Sequence, residues 1–339
     1  MASDVIECWR SNCSGKCKQW KEENVEMAVF ITGGYGHVGS WVAYLLAKEG
    51  EEVIIYDVSD RTPDYLSEVS ENITHVSGDV MDFPALTEAF RHHRGQISGI
   101  IHTVALMGEF VTKNPHGSVL LNIGGLLNIL ELARIFDISK VIYTSTGAVY
   151  GAADGIVAED KDLPNPADLY AATKASGEYL GRQYESNFGL DFRICRIYFV
   201  YGPGRLPSDF LRLYKVAFGA LQGLEGLRLE RGADQKLDFT YVEDAARGVV
   251  LLYKAEDLKN KIFNIATGIG SSIGEVVRLA EKYSHFPVSV EIGPGKILPR
   301  CEALDISRAR EELGYRPKYQ LERGIKLYAD YLGKKLRNR

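Results

Sequence analysis

From residue 27 onward two kinds of segment alternate, and that alternation limits the fold more than any other feature. Apolar runs rich in Val and Ile lie at 27–32 (MAVFIT), 52–57 (EVIIYD), 73–79 (ITHVSGD), 99–105 (GIIHTVA), 140–146 (KVIYTST) and 190–198 (LDFRICRIY). Helix-patterned segments occupy 37–50, 84–94, 117–136 and 168–188. Continuous β-branched runs separated by helices predict a parallel sheet covered on both faces, an α/β fold of the doubly wound kind.

Residues 32–39, TGGYGHVG, join the first run to the first helix. Glycine suits neither element, so the backbone is required to be bare here. Gly34-Tyr35-Gly36-His37-Val38-Gly39 fits G-x-G-x-x-G, and Gly33 adds the overlapping G-x-x-G-x-x-G. Bare backbone permits a tight turn and lets a pyrophosphate approach closely, while the first-turn amides of the helix, around His37 and Val38, supply donors and partial positive charge. Asp57 ends the second strand, where a carboxylate accepts from the adenosine ribose hydroxyls and repels a 2′-phosphate. A Rossmann-type domain using NAD is therefore expected. Asp79-Val80, ending the third run, is placed to reach the adenine edge.

Tyr170-Ala171-Ala172-Thr173-Lys174 sets a phenol and an ammonium four residues apart on one helix face, and Thr146 ends the preceding strand at the carboxyl edge of the sheet. Bringing a tyrosine to neutral pKa takes roughly 4 kcal/mol of differential stabilisation. The Lys174 cation and the positive nicotinamide of NAD are the expected sources.

The chain has 339 residues, 25% of them charged, and a net charge of −5, so the basic face that a phosphate backbone requires is not expected, and neither is a nucleic-acid partner. No continuous apolar run approaches 18 residues, and no membrane span is expected. Residues 1–26 read as a polar tail on a cytoplasmic protein. Cys8, Cys13 and Cys17 in that tail lack the fourth ligand and the paired spacing of a zinc site, so no metal is expected.

TGGYGHVG, IIHTVA, YTSTGAVYG, YAATK, RIYFVYGPG, LDFTYVEDAARG, FNIATG and ALDISRAREELGYRP occur in this order. With them the chain resembles an extended short-chain dehydrogenase/reductase of the NAD-dependent epimerase/dehydratase family, from about Met27 to Tyr331. The resemblance implies an enzyme in which Thr146, Tyr170 and Lys174 are catalytic, with Tyr170 exchanging the hydroxyl proton. It adds Val104, Ala105 and Asn122 to the cofactor contacts of Gly33, Gly36, His37, Val38, Gly39, Asp57, Asp79, Val80, Tyr170 and Lys174. It also implies a nucleotide domain of 27–198 plus 232–258, a smaller substrate domain of 199–231 plus 259–339, and a homodimer built on 117–136 and 168–188.

Departures from the family pattern bear on the substrate. Gly147-Ala148 follow Thr146 where dehydratases carry Asp-Glu, which disfavours dehydration. Phe199 stands where sugar-nucleotide epimerases place asparagine, Leu237 where they place arginine, and a second arginine is missing near Gly293. Arg205, Arg212 and Arg300 are the candidates to compensate. The leading expectation is hydride transfer at a secondary alcohol of a sugar-like molecule without a nucleotide, by a dehydrogenase or an epimerase. A UDP-sugar 4-epimerase with a rearranged diphosphate site is the alternative, and an NAD-sensing regulator a third.

Overall fold

The computed structural model describes residues 27–209 and 212–337. The tail cysteines Cys8, Cys13 and Cys17 lie outside them. Seven strands form the central sheet: β1 (Ala28–Thr32), β2 (Glu52–Asp57), β3 (Ile73–Ser77), β4 (Ile97–His102), β5 (Lys140–Thr146), β6 (Asp191–Ile197) and β7 (Ile262–Ile265). Every pairing is parallel, in the order β7-β6-β5-β4-β1-β2-β3. The order reverses between β1 and β4, and it is outside the carboxyl ends at such a switch point that ligands bind. Thr32 pairs with both Tyr56 and His102, and Thr146 with Ile197, so those ends lie level along one edge.

Alternate residues of β1 feed opposite faces, as strand geometry requires. Val29 and Ile31 join a core with Val42, Ala43 and Leu46 of α1 (His37–Lys48). Phe30 packs on the other side with Leu86 and Phe90 of α2 (Phe83–His92) and with Leu126, Ile129 and Leu130 of α3 (Gly125–Ile135). Fully burying each such side chain stabilises by about 1.5–3 kcal/mol. The segment expected as one helix over 117–136 is a short helix, Pro115–Val119, then a π turn at Leu120–Gly124, then α3. By length and composition alone Pro115–Ile135 is apolar enough to cross a membrane. In the fold its inward side chains lie against the sheet.

Next come α4 (Leu169–Phe188) and α5 (Val242–Lys254); Ala246 and Val249 of α5 share the α1 core. A third core joins Val216, Phe218, Leu237 and Phe239 to Val276 of α6 (Ile273–Tyr283) and Tyr328 of α7 (Leu321–Arg337). This second lobe meets the end of β6 through Phe199, whose ring packs against Tyr214 and Phe239. Its expected boundary at 259 falls differently, because Ile262–Ile265 extends the central sheet beside β6.

Candidate active site

The glycine turn is closed by short contacts. Gly33 has φ +71°, a left-handed conformation that suits glycine, and its N–H donates to the Tyr56 carbonyl at 2.9 Å. A Cβ on Gly39 would lie 2.3 Å from the Gly33 oxygen and 2.7 Å from Thr103 Oγ1. Thr103 Oγ1 bonds the Thr32 and Gly33 carbonyls at 2.8 and 3.0 Å, pinning the turn from beneath. Gly36, by contrast, is exposed, and a Cβ there would meet only the Gly33 oxygen. Above it open the first-turn amides of α1, which a helix leaves without internal acceptors. Asp57 stands beside them, its Oδ2 accepting from Tyr35 N and its Oδ1 from Ser59 N, both at 2.9 Å. Each carboxylate oxygen keeps a lone pair for a ribose hydroxyl. A bare turn, free helix amides and an adjacent carboxylate fit a dinucleotide.

Thr146 ends β5, and its hydroxyl accepts from Ala148 N at 3.2 Å. The Asp168 side chain caps α4 by accepting from Ala171 N at 2.8 Å, which starts the helix just before Tyr170. The Thr146 hydroxyl stands near enough to the Tyr170 phenol to lower its pKa. Lys174, one turn further, is 2% exposed, with its Nζ 4.2 Å from the centre of the Tyr143 ring. Thr146, Tyr170 and Lys174 thus meet at the carboxyl edge of β5.

Burial pushes the Tyr170 phenol above its ordinary value and Asp168 adds to this; the nearby Thr146 hydroxyl, Arg300 and Arg205 oppose it. Lys174 is itself pulled down to about 7 by burial, against the Glu178 charge. The cations that act on the phenol in this fold are two arginines, and burial outweighs them.

Val104 packs against the turn, its Cγ2 3.0 Å from where a Gly33 Cβ would sit, and Ala105 follows it on the same half-buried loop. Val38 is half buried against the α1 core. Other expected contacts are engaged elsewhere. The His37 ring bonds the Gly202 carbonyl at 3.1 Å, so only its backbone amide faces the turn. Asn122, in the π turn, has its amide spent on Leu106 N (2.8 Å), Leu106 O (2.9 Å) and Thr173 Oγ1 (3.0 Å). These bonds hold the 104–107 loop to the π turn. Asp79 is exposed and accepts from Met81 N at 2.9 Å, and the Val80 side chain is core.

Of the three candidate arginines, Arg300 and Arg205 carry charge that acts on Tyr170. Arg205 follows a loop fixed to α1 through His37 and through Trp41, whose Nε1 donates to Pro203 O at 2.9 Å. Arg300 ion-pairs with Asp168. Arg212 is exposed and donates to the Arg228 carbonyl at 3.3 Å, away from the phenol. Leu237 is fully buried in the third core, and a Cβ on Gly293 would lie 2.0 Å from the Glu230 oxygen, so neither position offers a side chain to a ligand. Phe199 has φ +35°, an uncommon strained conformation for an aromatic residue. Tyr198, Tyr214 and Phe239 surround its ring at centroid distances of 4.7, 5.9 and 5.8 Å. Thr103, Asp168 and Tyr214 were not foreseen; of these only the cap had a sequence signal, an aspartate just before a helical pattern.

Residues 29–266 match the NAD dependent epimerase/dehydratase family. The UDP-glucuronate 4-epimerase of Thermodesulfobacterium geofontis is 32% identical over 308 residues, spanning 87% of this chain and 93% of that protein. Among solved structures, the UDP-glucose 4-epimerase of Thermotoga maritima with UDP-glucose aligns with a TM-score of 0.81 at 27% identity, over 91% of this chain and all of that one. The Thermus thermophilus UDP-glucose 4-epimerase complex with NAD aligns at 0.79 and 28%, over 91% and 99%. The chain belongs to the NAD-dependent epimerase/dehydratase family and is an NAD-dependent enzyme of the extended short-chain dehydrogenase/reductase type.

Proposed function

From that family membership and the groups around Tyr170, we propose an NAD-dependent sugar epimerase whose substrate carries negative charge beside the reacting carbon. One observation carries the charge assignment: Arg300 ion-pairs with Asp168, the cap of the helix that carries Tyr170, and with Arg205 it lowers the pKa of that phenol. Charge-assisted hydrogen bonds from guanidinium to carboxylate contribute about 1.5–3 kcal/mol each. With a UDP-glucuronate 4-epimerase among its relatives, a UDP-linked uronate is the first substrate to try.

Gly33, Gly36, Gly39, the first-turn amides of α1 and Asp57 would hold NAD, with Val104 and Ala105 beside it. When bound there, NAD would supply the two-electron chemistry of reversible hydride transfer at the carbinol carbon. Thr146 and Tyr170 hold the reacting oxygen between two hydroxyls. Tyr170 takes its proton as the ketone forms and gives it back on reduction. A phenol pushed up by burial is well suited to the second step. For the first it relies on Arg300 and Arg205 to bear its negative charge.

A second reading, a dehydrogenase of unlinked sugar acids, is favoured by the buried Leu237 and the closed Gly293, which leave those positions unable to grip a diphosphate. The test is UDP-glucuronate, UDP-glucose and free glucuronate, each followed by proton NMR and at 340 nm. Inversion of UDP-glucuronate without net NADH supports the epimerase. Net NADH from free glucuronate alone overturns it in favour of the dehydrogenase. NAD binding with no turnover of any sugar favours a regulator.

We also propose a homodimer. Leu120, Leu127 and Ile135 on one helical segment, with Tyr179 and Phe188 on α4, are exposed apolar side chains that a second copy would cover. Light scattering of Leu127→Asp/Tyr179→Asp should then give a monomer; an unchanged mass would contradict it.

A further inference from the structure

Beneath the catalytic helix runs a chain of buried polar groups that the chemistry above does not use. Glu178, one turn past Lys174 on α4, is 3% exposed. It accepts from Arg196 Nε at 3.0 Å and Nη2 at 2.6 Å, and from Ser145 Oγ at 2.5 Å. Arg196 Nη1 donates to the Tyr150 hydroxyl at 2.8 Å, and that hydroxyl donates to Asn264 Oδ1 at 2.8 Å. Asn264 Nδ2 donates to the Asp305 carbonyl at 3.1 Å.

An ion pair this deeply buried adds little net stability over well-packed apolar residues of the same volume. Its contribution here is geometric. Ser145 immediately precedes Thr146, Glu178 shares a helix face with Lys174, and Asp305 lies five residues beyond Arg300. We propose that Glu178 is a positioning residue for the reaction. It keeps Thr146 and Lys174 in register where strand β5 meets helix α4, and it ties that junction to the second lobe through Arg196, Tyr150 and Asn264. The proposal rests on the assignment of Thr146, Tyr170 and Lys174 as the reacting set.

Charge adds to position. Around Lys174 stand the Tyr143 ring, the neutral buried His102 whose imidazole Lys174 itself disfavours charging, Tyr170 on its own helix, and Glu178. Glu178 is the group that opposes burial and keeps the ammonium protonated. Removing its carboxylate therefore moves the loss of the Lys174 proton to lower pH.

The test uses the whole protein without substrate, following the Lys174 Cε resonance against pH by carbon NMR, assigned through Lys174→Arg. In Glu178→Gln the midpoint should fall by about one unit or more, about 1.4 kcal/mol of lost interaction. In Glu178→Asp, which keeps the charge, it should stay near the wild-type midpoint while kcat falls. Ser145→Ala, which leaves the Arg196 pair intact, should lower kcat by about tenfold with KM and melting temperature near wild type. An unmoved midpoint in a folded Glu178→Gln protein overturns the proposal, as does wild-type kcat in Ser145→Ala. Should Glu178→Gln fail to fold, wild-type kcat in both Glu178→Asp and Ser145→Ala overturns it. A wild-type protein without NAD-linked turnover would sink the reaction assignment, while the NMR midpoint still decides the role of Glu178.

Discussion

Arg300, from the second lobe, ion-pairs with Asp168, the residue whose side chain caps the helix carrying Tyr170 and Lys174. One carboxylate oxygen holds the helix start and the other holds the guanidinium, which keeps Arg300 within electrostatic reach of the phenol. An anionic group entering beside Tyr170 would find this cation already oriented, with little side-chain entropy left to lose.

Arg300→Ala should therefore discriminate between substrates. Loss of one charge-assisted bond costs about 1.5–3 kcal/mol, or roughly 10- to 150-fold. We expect kcat/KM for UDP-glucuronate to fall by that factor, and for UDP-glucose by less than about threefold. Equal losses on both would reduce Arg300 to a clasp between lobes.

Tyr170→Phe removes only the phenolic oxygen. Turnover should fall by about 10²- to 10⁴-fold, the usual worth of a positioned acid or base. The glycine turn and Asp57 are untouched, so NAD released by acid from the purified variant should match the wild type. A variant that turns over normally would show that the proton travels by another route.

The sheet was readable because its evidence is local. Each run of β-branched residues declares a strand, and TGGYGHVG declares the turn that faces a dinucleotide. β7 escaped because IFNI is four residues long, and only its pairing with β6 distinguishes it from a loop strand. The π turn at Asn122 escaped because one extra residue per turn hardly disturbs a hydrophobic pattern. Arg205, Arg212 and Arg300 looked alike as sequence. Choosing among them required the tertiary fold, which carries Arg300 back to Asp168 across 132 positions. For Tyr170 the residue types name the nearby charges, while the burial that opposes them is set by the fold.

Acid stability should report on His102. It is fully buried, its Nδ1 lies 2.7 Å from Thr32 Oγ1, and burial followed by the Lys174 charge lowers its pKa from 6.5 to about 3. The unfolded chain therefore binds the extra proton between pH 6.5 and 3. The stability tied to this group is complete above 6.5 and is lost as pH falls through that window. Between pH 7 and pH 5 the loss is about 2 kcal/mol. Unfolding free energies from urea titrations at the two pH values should converge by about that much in His102→Gln; an unchanged difference would mean other groups dominate acid unfolding.

The cofactor turn gives the sharpest steric test. In Gly39→Ala the new methyl would stand 2.3 Å from the Gly33 carbonyl oxygen, which is backbone and cannot swing aside as a side chain would. Relief requires the turn to open or α1 to retreat from β1. Either movement shifts the first-turn amides away from the position where a pyrophosphate would rest. We expect a stability loss of about 1–3 kcal/mol, as for overpacking in a core, and bound NAD should disappear from the purified protein. Gly50→Ala is the control, since its Cβ would meet nothing within 4 Å although its φ of +85° strains any side chain. That variant should lose stability by about 1 kcal/mol yet keep its NAD. If Gly39→Ala also retained NAD at the wild-type level, the close approach at this turn would not be what holds the dinucleotide.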